Sequence, residues 1–317
     1  MIVVTGGTGF IGSAVVWQLN QRGKENILIV DDLGEGKKWK NLRSLRYLDF
    51  IQRVDFAKHI ANDDLPDNIS AVVHLGDWEN TAETDAKILT DHNYNYSKLL
   101  ANYCLQKHIR FIYASCASTY GEGHDGFYDI VDELDDLRPK SLYAYSKHMF
   151  DLWLKRQDIF HRVVGLKIPQ VYGPNEYHRP DPSLILKAYN LLENQPSFMY
   201  DLDELANKNY HSADYIYIKD VARIIDFFIN HPHINGLFNV SNGYGVPAGV
   251  MVKNIYEAME IPVPDYIDTE PQKDLPALDI AGLNEAHYKD GFTNHKDAIR
   301  EYIQDYLQRG RHLGDEK

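Results

Sequence analysis

The eight residues TGGTGFIG, positions 5–12, constrain this chain more than any other stretch. They follow an apolar β-branched run, Ile2 to Thr5, and open an amphipathic helical stretch. Gly6, Gly7, Gly9 and Gly12 satisfy both a GxGxxG and a GxxGxxG spacing. Glycines at such places let the backbone turn sharply and approach a pyrophosphate, whose charge is met by N–H groups at a helix N-terminus. A glycine pattern alone marks only a turn. Here Asp31 and Asp32 stand at the end of the next strand, about 20 residues on, where ribose hydroxyls are read. Together these features predict a bound dinucleotide.

Short apolar runs at 2–5, 26–32, 71–76, 111–115 and 163–173 alternate with helical stretches. That alternation predicts an α/β fold, a Rossmann-type doubly wound parallel sheet. Beyond Gly173 the pattern loosens, with Pro and Tyr punctuation from 174 to 182, a helix near 183–194, and strands at 215–218 and 237–241. The expected organisation is a dinucleotide-binding domain over 1–173, to which 211–245 returns. A smaller interleaved C-terminal substrate lobe takes 174–210 and 246–317. The closing RGRHLGDEK is polar, carries no packing pattern, and is expected to fray.

The formal charge of −13 leaves no broad cationic footprint for a nucleic-acid backbone. Cys104 and Cys116, the only two cysteines, give neither a disulfide framework nor a metal-ligand spacing, and the histidines are scattered. No basic leader and no run of about 18 apolar residues is present. The expectation is a cytoplasmic chain with no metal, nucleic acid or membrane among its partners.

A tyrosine four residues before a lysine occurs four times, at Tyr94/Lys98, Tyr103/Lys107, Tyr143/Lys147 and Tyr215/Lys219. Only Tyr143 and Lys147 lie on the helix after the strand end YASCAS, and open sheets bind ligands beside the carboxyl ends of their strands. An ammonium one turn on is expected to lower the phenol's pKa from about 10 and to hold a ribose. The nicotinamide cofactor is read from opposing charges. The carboxylate pair Asp31 and Asp32 repels a 2′-phosphate, whereas Lys37, Lys38 and Lys40 in GEGKKWK and Arg53 attract one. The balance favours NADP, with NAD as the alternative.

TGGTGFIG, NYNYSKLLANYCL, YASCASTYG, YAYSK and VYGP occur in the order of the extended short-chain dehydrogenase/reductase family. From Met1 to about Gly243 the chain resembles that family, most of all its ADP-glycero-manno-heptose 6-epimerase branch, which acts on a nucleotide sugar. The resemblance implies Tyr143 as acid/base and Lys147 as its electrostatic partner and ribose ligand. It implies Lys38 and Arg53 at the 2′-phosphate, with Phe10, Ile11, Leu75, Gly76, His92 and Val171 completing the cofactor site. Ser115, Gln170, His178 and Asp181 are implied at the substrate, and a homo-oligomer is implied as the assembly. The implied chemistry is an internal redox cycle: hydride leaves a sugar carbon and returns to its other face, with proton transfer on each side.

Several positions depart from the pattern. Cys116 replaces a serine or threonine hydroxyl, and a thiol is a weaker donor; Ser115 and Ser118 are the alternatives. Arg179 stands where the branch has a lysine as second base, and a guanidinium does not give up its proton. Gln170 and His92 each replace an asparagine, and Ala213 replaces an arginine that grips the diphosphate. The leading expectation is an NADP-dependent epimerase with an altered substrate site. A sugar reductase or dehydrogenase, which needs no second base, and a cofactor-binding relative without turnover are the alternatives.

Overall fold

The computed structural model describes residues 1–78, 80–124, 126–194, 214–265, 267, 275 and 277–315. Seven strands form one parallel sheet: β1 (Ile2–Thr5), β2 (Ile27–Val30), β3 (Asp49–Ile51), β4 (Ala71–His74), β5 (Arg110–Cys116), β6 (Val163–Ile168) and β9 (Gly236–Asn239). Their order is β3-β2-β1-β4-β5-β6-β9. The winding direction reverses between β1 and β4, and such a switch point opens a crevice at the carboxyl ends of the strands. A second, two-stranded parallel sheet pairs β7 (Gln170–Tyr172) with β8 (Tyr215–Tyr217).

Every residue of β1, β2, β4 and β6 is buried. Both faces of the sheet are covered, which is why these strands read as continuous apolar runs. Because side chains alternate along a strand, neighbours go to opposite faces. Val4, Ile29, Val73 and Ile112 pack in the layer holding helix α1 (Phe10–Gln21) and the later helices Ile218–Asn230 and Ala248–Ala258. Val3, Leu28, Val72 and Phe111 pack in the other layer. That layer holds α2 (Arg53–Asn62), α4 (Tyr96–Gln106) and α5 (Leu142–Arg156). The short α3 (Ala86–Leu89) runs through a π-helical turn, Thr90–Asn95, into α4.

Two local expectations are corrected. The run 163–173 is not one strand, because Pro169 has no N–H to continue a ladder: β6 ends at Ile168 and β7 begins at Gln170 in the other sheet. The closing segment is packed rather than frayed as far as Asp315. Leu313 is fully buried, its N–H donates to Asn175 Oδ1 at 3.0 Å, and Asp315 takes both Arg43 and Ser44.

His74, the last residue of β4, ties the sheet to α4. Its Nε2 meets Ser97 Oγ at 2.9 Å, and Ser97 Oγ donates to Asn93 O, so the ring carries its proton on Nε2 and accepts from Thr5 Oγ1 at 2.7 Å through Nδ1. Burial first, and Lys147 second, push the imidazole down to about 3. A depressed folded pKa contributes stability that is fully present above the unfolded value of about 6.5 and is lost as pH falls. Urea titrations of His74→Gln are therefore expected to lose up to ~1.4 kcal/mol per pH unit of the wild-type acid slope between about pH 6 and pH 4. An unchanged slope would place His74 outside the titrating set.

Candidate active site

The crevice between β1 and β4 deepens into a cavity of about 590 Å³. The glycine turn forms one wall, and its glycines are sterically required. Gly6 has φ +68°, and a Cβ there would lie 2.6 Å from Gly76 N and Leu75 O. A Cβ on Gly12 would lie 2.0 Å from Gly6 O. Gly9 caps α1 with no side-chain partner, so the first-turn N–H groups of Phe10, Ile11 and Gly12, which line the cavity, are left for a ligand. Gly7 lies outside the wall and packs on Ile29. This cradle fits a dinucleotide pyrophosphate.

Asp31, at the end of β2, is buried and saturated. Its Oδ2 accepts from Thr8 N at 2.9 Å and Thr8 Oγ1 at 2.5 Å, and its Oδ1 accepts from Asp32 N at 2.8 Å and Lys38 Nζ at 2.7 Å. A carboxylate offers about four acceptor positions, so a ribose hydroxyl must displace one of these donors. Asp32 pairs with Arg53, whose Nε lies 3.3 Å from Oδ2 and whose guanidinium covers the Tyr96 ring at 5.4 Å. His92 stands 3.5 Å from Arg53 and against Trp78. Asp31 and Lys38 belong to the cavity wall; Asp32, Arg53 and His92 do not line it.

At the opposite end, Ser141 caps α5 by accepting from Ala144 N at 3.1 Å, and Tyr143 follows in the first turn. The Tyr143 hydroxyl donates to Asp77 Oδ2 at 2.8 Å, and Lys147 Nζ reaches the same oxygen at 3.2 Å. Asp77 is a residue that the sequence reading missed. Burial, the Asp77 charge and Cys116 raise the Tyr143 phenol well above its ordinary value, offset in part by Arg179. The lowering expected from Lys147 is not what this structure favours: burial of the phenol dominates, and the Asp77 carboxylate, which also takes the Lys147 ammonium, adds to it. Burial also opposes ionisation of Asp77, but Lys147 and the Tyr143 hydroxyl outweigh it and leave the carboxyl below its usual range.

Tyr143, Cys116, Ser115, Gln170, Val171, Arg179 and Asp181 all line this cavity, together with Leu75, Gly76 and Asp77. Lys147 lies behind Tyr143 with a side chain only 6% exposed. The Cys116 thiol is pushed up to about 11 by burial, with Lys147 and Lys167 opposing, and so is neutral. The Ser115 hydroxyl donates to Asp151 at 2.7 Å, which commits it away from a substrate carbonyl. Asp181 pairs with Lys187 at 2.6 Å, and Arg179 lies 5.5 Å over the Phe10 ring. His178 is not brought to this cavity: it lines a separate pocket with Lys37, Lys40 and Asn41. His178, implied at the substrate by the resemblance, is thus turned elsewhere, and burial pushes its imidazole down to about 4. Ala213 lies outside the described residues.

A parallel sheet with a glycine cradle at its switch point, and a tyrosine and lysine on the helix after β5, define a nicotinamide-dependent enzyme of the short-chain dehydrogenase/reductase type. The profile of the NAD dependent epimerase/dehydratase family matches residues 2–241. The ADP-L-glycero-D-manno-heptose-6-epimerase of Nitratidesulfovibrio vulgaris is 38% identical over 97% of this chain and 98% of its own. That of Fusobacterium nucleatum is 40% identical over 77% of this chain and 75% of its own. The chain belongs to the NAD dependent epimerase/dehydratase family, as an NAD(P)-dependent epimerase of the extended short-chain dehydrogenase/reductases. The Helicobacter pylori ADP-L-glycero-D-manno-heptose-6-epimerase superposes with a TM-score of 0.74 at 20% identity, over 96% of this chain and 95% of its own, which shows the shared fold.

Proposed function

We propose that this chain inverts one stereocentre of a nucleotide-linked sugar of the ADP-glycero-manno-heptose class by oxidising and re-reducing a single carbon. The observation that carries the reading is the Tyr143 hydroxyl with Lys147 behind it, set in the same cavity as the glycine cradle. The near full-length identity to the Nitratidesulfovibrio enzyme supports the sugar class. The bound nicotinamide supplies reversible hydride transfer. Gly6, Gly9 and the first turn of α1 hold its pyrophosphate, Lys147 its ribose, and Tyr143 moves the proton of the sugar hydroxyl. Gln170 from β7, and Arg179 and Asp181 from the segment after it, face the sugar nucleotide. Arg179 suits a phosphate by charge, which leaves the departure from a second basic lysine consistent with binding rather than proton transfer.

The test is incubation with ADP-glycero-manno-heptose in deuterated water, followed by NMR. The expected result is the other epimer with no solvent deuterium at the inverted carbon. Steady accumulation of reduced cofactor would instead favour a dehydrogenase, and tight cofactor binding without turnover a non-catalytic relative.

The cofactor we assign is NADP, with Lys38 and Arg53 at its 2′-phosphate; both flank the end of β2 and are held there by Asp31 and Asp32. Lys38→Ala is expected to weaken NADP by roughly 10–100-fold, the value of a charge-assisted contact, and NAD by much less. Calorimetric titration with both cofactors decides this, and equal losses would reject the preference. Among the described residues, no helix is long and apolar enough to cross a membrane. The homo-oligomer implied by the resemblance is open to sedimentation analysis.

A further inference from the structure

We propose that Asp77 is the proton acceptor behind Tyr143, a positioning residue through which the tyrosine acts as acid and base in turn. This inference rests on the redox reading above. Asp77 follows β4 by three residues, at the switch point, and lines the cavity beside Leu75 and Gly76. Its Oδ2 receives both the Tyr143 hydroxyl and the Lys147 ammonium, at 2.8 and 3.2 Å. No described residue donates to its Oδ1.

The geometry is held from several sides. In the π-helical turn, Asn93 Oδ1 accepts from Trp78 N at 2.7 Å, and its Nδ2 donates to Ser146 Oγ at 3.0 Å. Ser146 sits on α5 between Tyr143 and Lys147 and donates to Tyr143 O at 2.7 Å. One buried amide thus locks the loop carrying Asp77 to the helix turn carrying the other two groups. Insertions of π geometry in helices recur at functional sites, and here the wider turn places Asn93 between the two elements.

The chemistry needs such an acceptor. Tyr143 carries its proton at neutral pH, so it can take a second one from a sugar hydroxyl only if its own leaves at the same time. Contact with the phenol separates Asp77 from the other groups on the cavity wall. Cys116 is a neutral thiol, Arg179 does not exchange its proton, Ser115 is committed to Asp151, and the Asp31 and Asp181 carboxylates pair with Lys38 and Lys187, whereas the phenol itself donates to Asp77. The step balances as follows. The sugar O–H bond breaks toward Tyr143 Oη while the Tyr143 O–H bond breaks toward Asp77 Oδ2, and the carbon's C–H pair leaves as hydride, which the nicotinamide that the glycine cradle and Lys147 would hold would accept as the two-electron oxidant. Asp77 becomes neutral, and the reverse transfer restores both protons when hydride returns. The hydroxyl becomes strongly acidic as hydride departs, so a carboxylate held below its usual pKa by Lys147 is basic enough.

The groups facing this pair are Lys147 from α5, His74 from β4, Cys116 from β5 and Arg179 from the loop after β7. Burial of the phenol persists in Asp77→Asn, but the Asp77 charge that adds to it is removed, and Lys147 and Arg179 remain. In tyrosinate difference absorbance against Tyr143→Phe, the Tyr143 titration is expected to move to lower pH, with or without bound cofactor. In turnover of the sugar nucleotide, kcat is expected to fall about 10²-fold with KM little changed, and the alkaline limb of kcat to move to lower pH with the phenol. Asp77→Glu, which keeps a carboxylate, is expected to recover part of the rate and to leave the titration near wild type. Superimposable phenol titrations would overturn the inference without reference to any substrate. Faster turnover or tighter cofactor binding in Asp77→Asn would also overturn it, because Asp77 would then merely compete with the ribose for Lys147. A wild type that turns over no nucleotide sugar would sink the epimerase reading alone, and the titration would still decide Asp77.

Discussion

Tyr143→Phe is expected to abolish turnover of the nucleotide sugar, by about 10²- to 10⁴-fold, while leaving the dinucleotide bound. The phenol oxygen is the group that meets both the cavity and Asp77, and the ring around it can stay where it is. Removing it leaves Asp77 paired to Lys147, so no charge is stranded. Nothing in the cradle of Gly6, Gly9 and Gly12 changes. Calorimetric cofactor binding should therefore match wild type within about twofold, a difference near 0.4 kcal/mol. The lost hydrogen bond to a charged group costs about 1.5–3 kcal/mol of fold stability, which a protein of this size survives. An active Phe variant would move the acid/base role to another residue. Loss of cofactor binding together with activity would mean that the phenol holds the dinucleotide rather than the proton.

What could be read from the chain alone follows from how local each constraint is. The glycine cradle was legible because its cause lies within eight residues: Gly12 has no room for a Cβ beside Gly6 O. Tyr143 and Lys147 were legible through helical spacing and their place after β5. Asp77 was not, although HLGD sits at a strand's carboxyl end where ligands gather. That rule marks a region, and only the Asn93 bridge between two separate elements turns this one carboxylate onto the phenol. The phenol's acidity is illegible for the same reason, since a tyrosine and lysine pattern says nothing of how deeply the phenol is buried or of a third charge arriving from the loop after β4. The packed C-terminal segment was missed because its partners, Arg43, Ser44 and Asn175, lie far off in the chain. Lys167 carries a further signal: a lysine inside the apolar strand VVGLKI needs a buried counter-charge.

That counter-charge is Asp151, and Asp151→Ala is expected to destabilise the fold by about 3–5 kcal/mol, the cost of stranding one half of a buried ion pair. Both side chains are fully buried. Asp151 Oδ1 accepts from Tyr113 OH and its Oδ2 from Ser115 Oγ, each at 2.7 Å, while Lys167 Nζ lies 3.3 Å from Oδ2. Without the carboxylate, the ammonium keeps, among the described residues, the Thr119 hydroxyl at 2.5 Å and the Tyr120 ring at 4.7 Å, and two hydroxyls on β5 lose their acceptor. The urea midpoint of the alanine variant should fall accordingly, and a loss below about 1 kcal/mol would show that water reaches the pair. Asp151→Leu combined with Lys167→Met is expected to recover most of the loss, because removing both charges also removes the cost of burying them. The pair's place explains its retention better than its energy does. Asp151 continues the helix face of Tyr143 and Lys147 by one more turn, and Lys167 pairs in register with Ser115 at the end of β5. The buried charges thus pin the face of α5 that carries Tyr143 and Lys147 to the two strands whose ends floor the cavity. The stabilised double variant should accordingly fold well and still turn over more slowly than wild type, since stability is restored without the contacts that orient the helix.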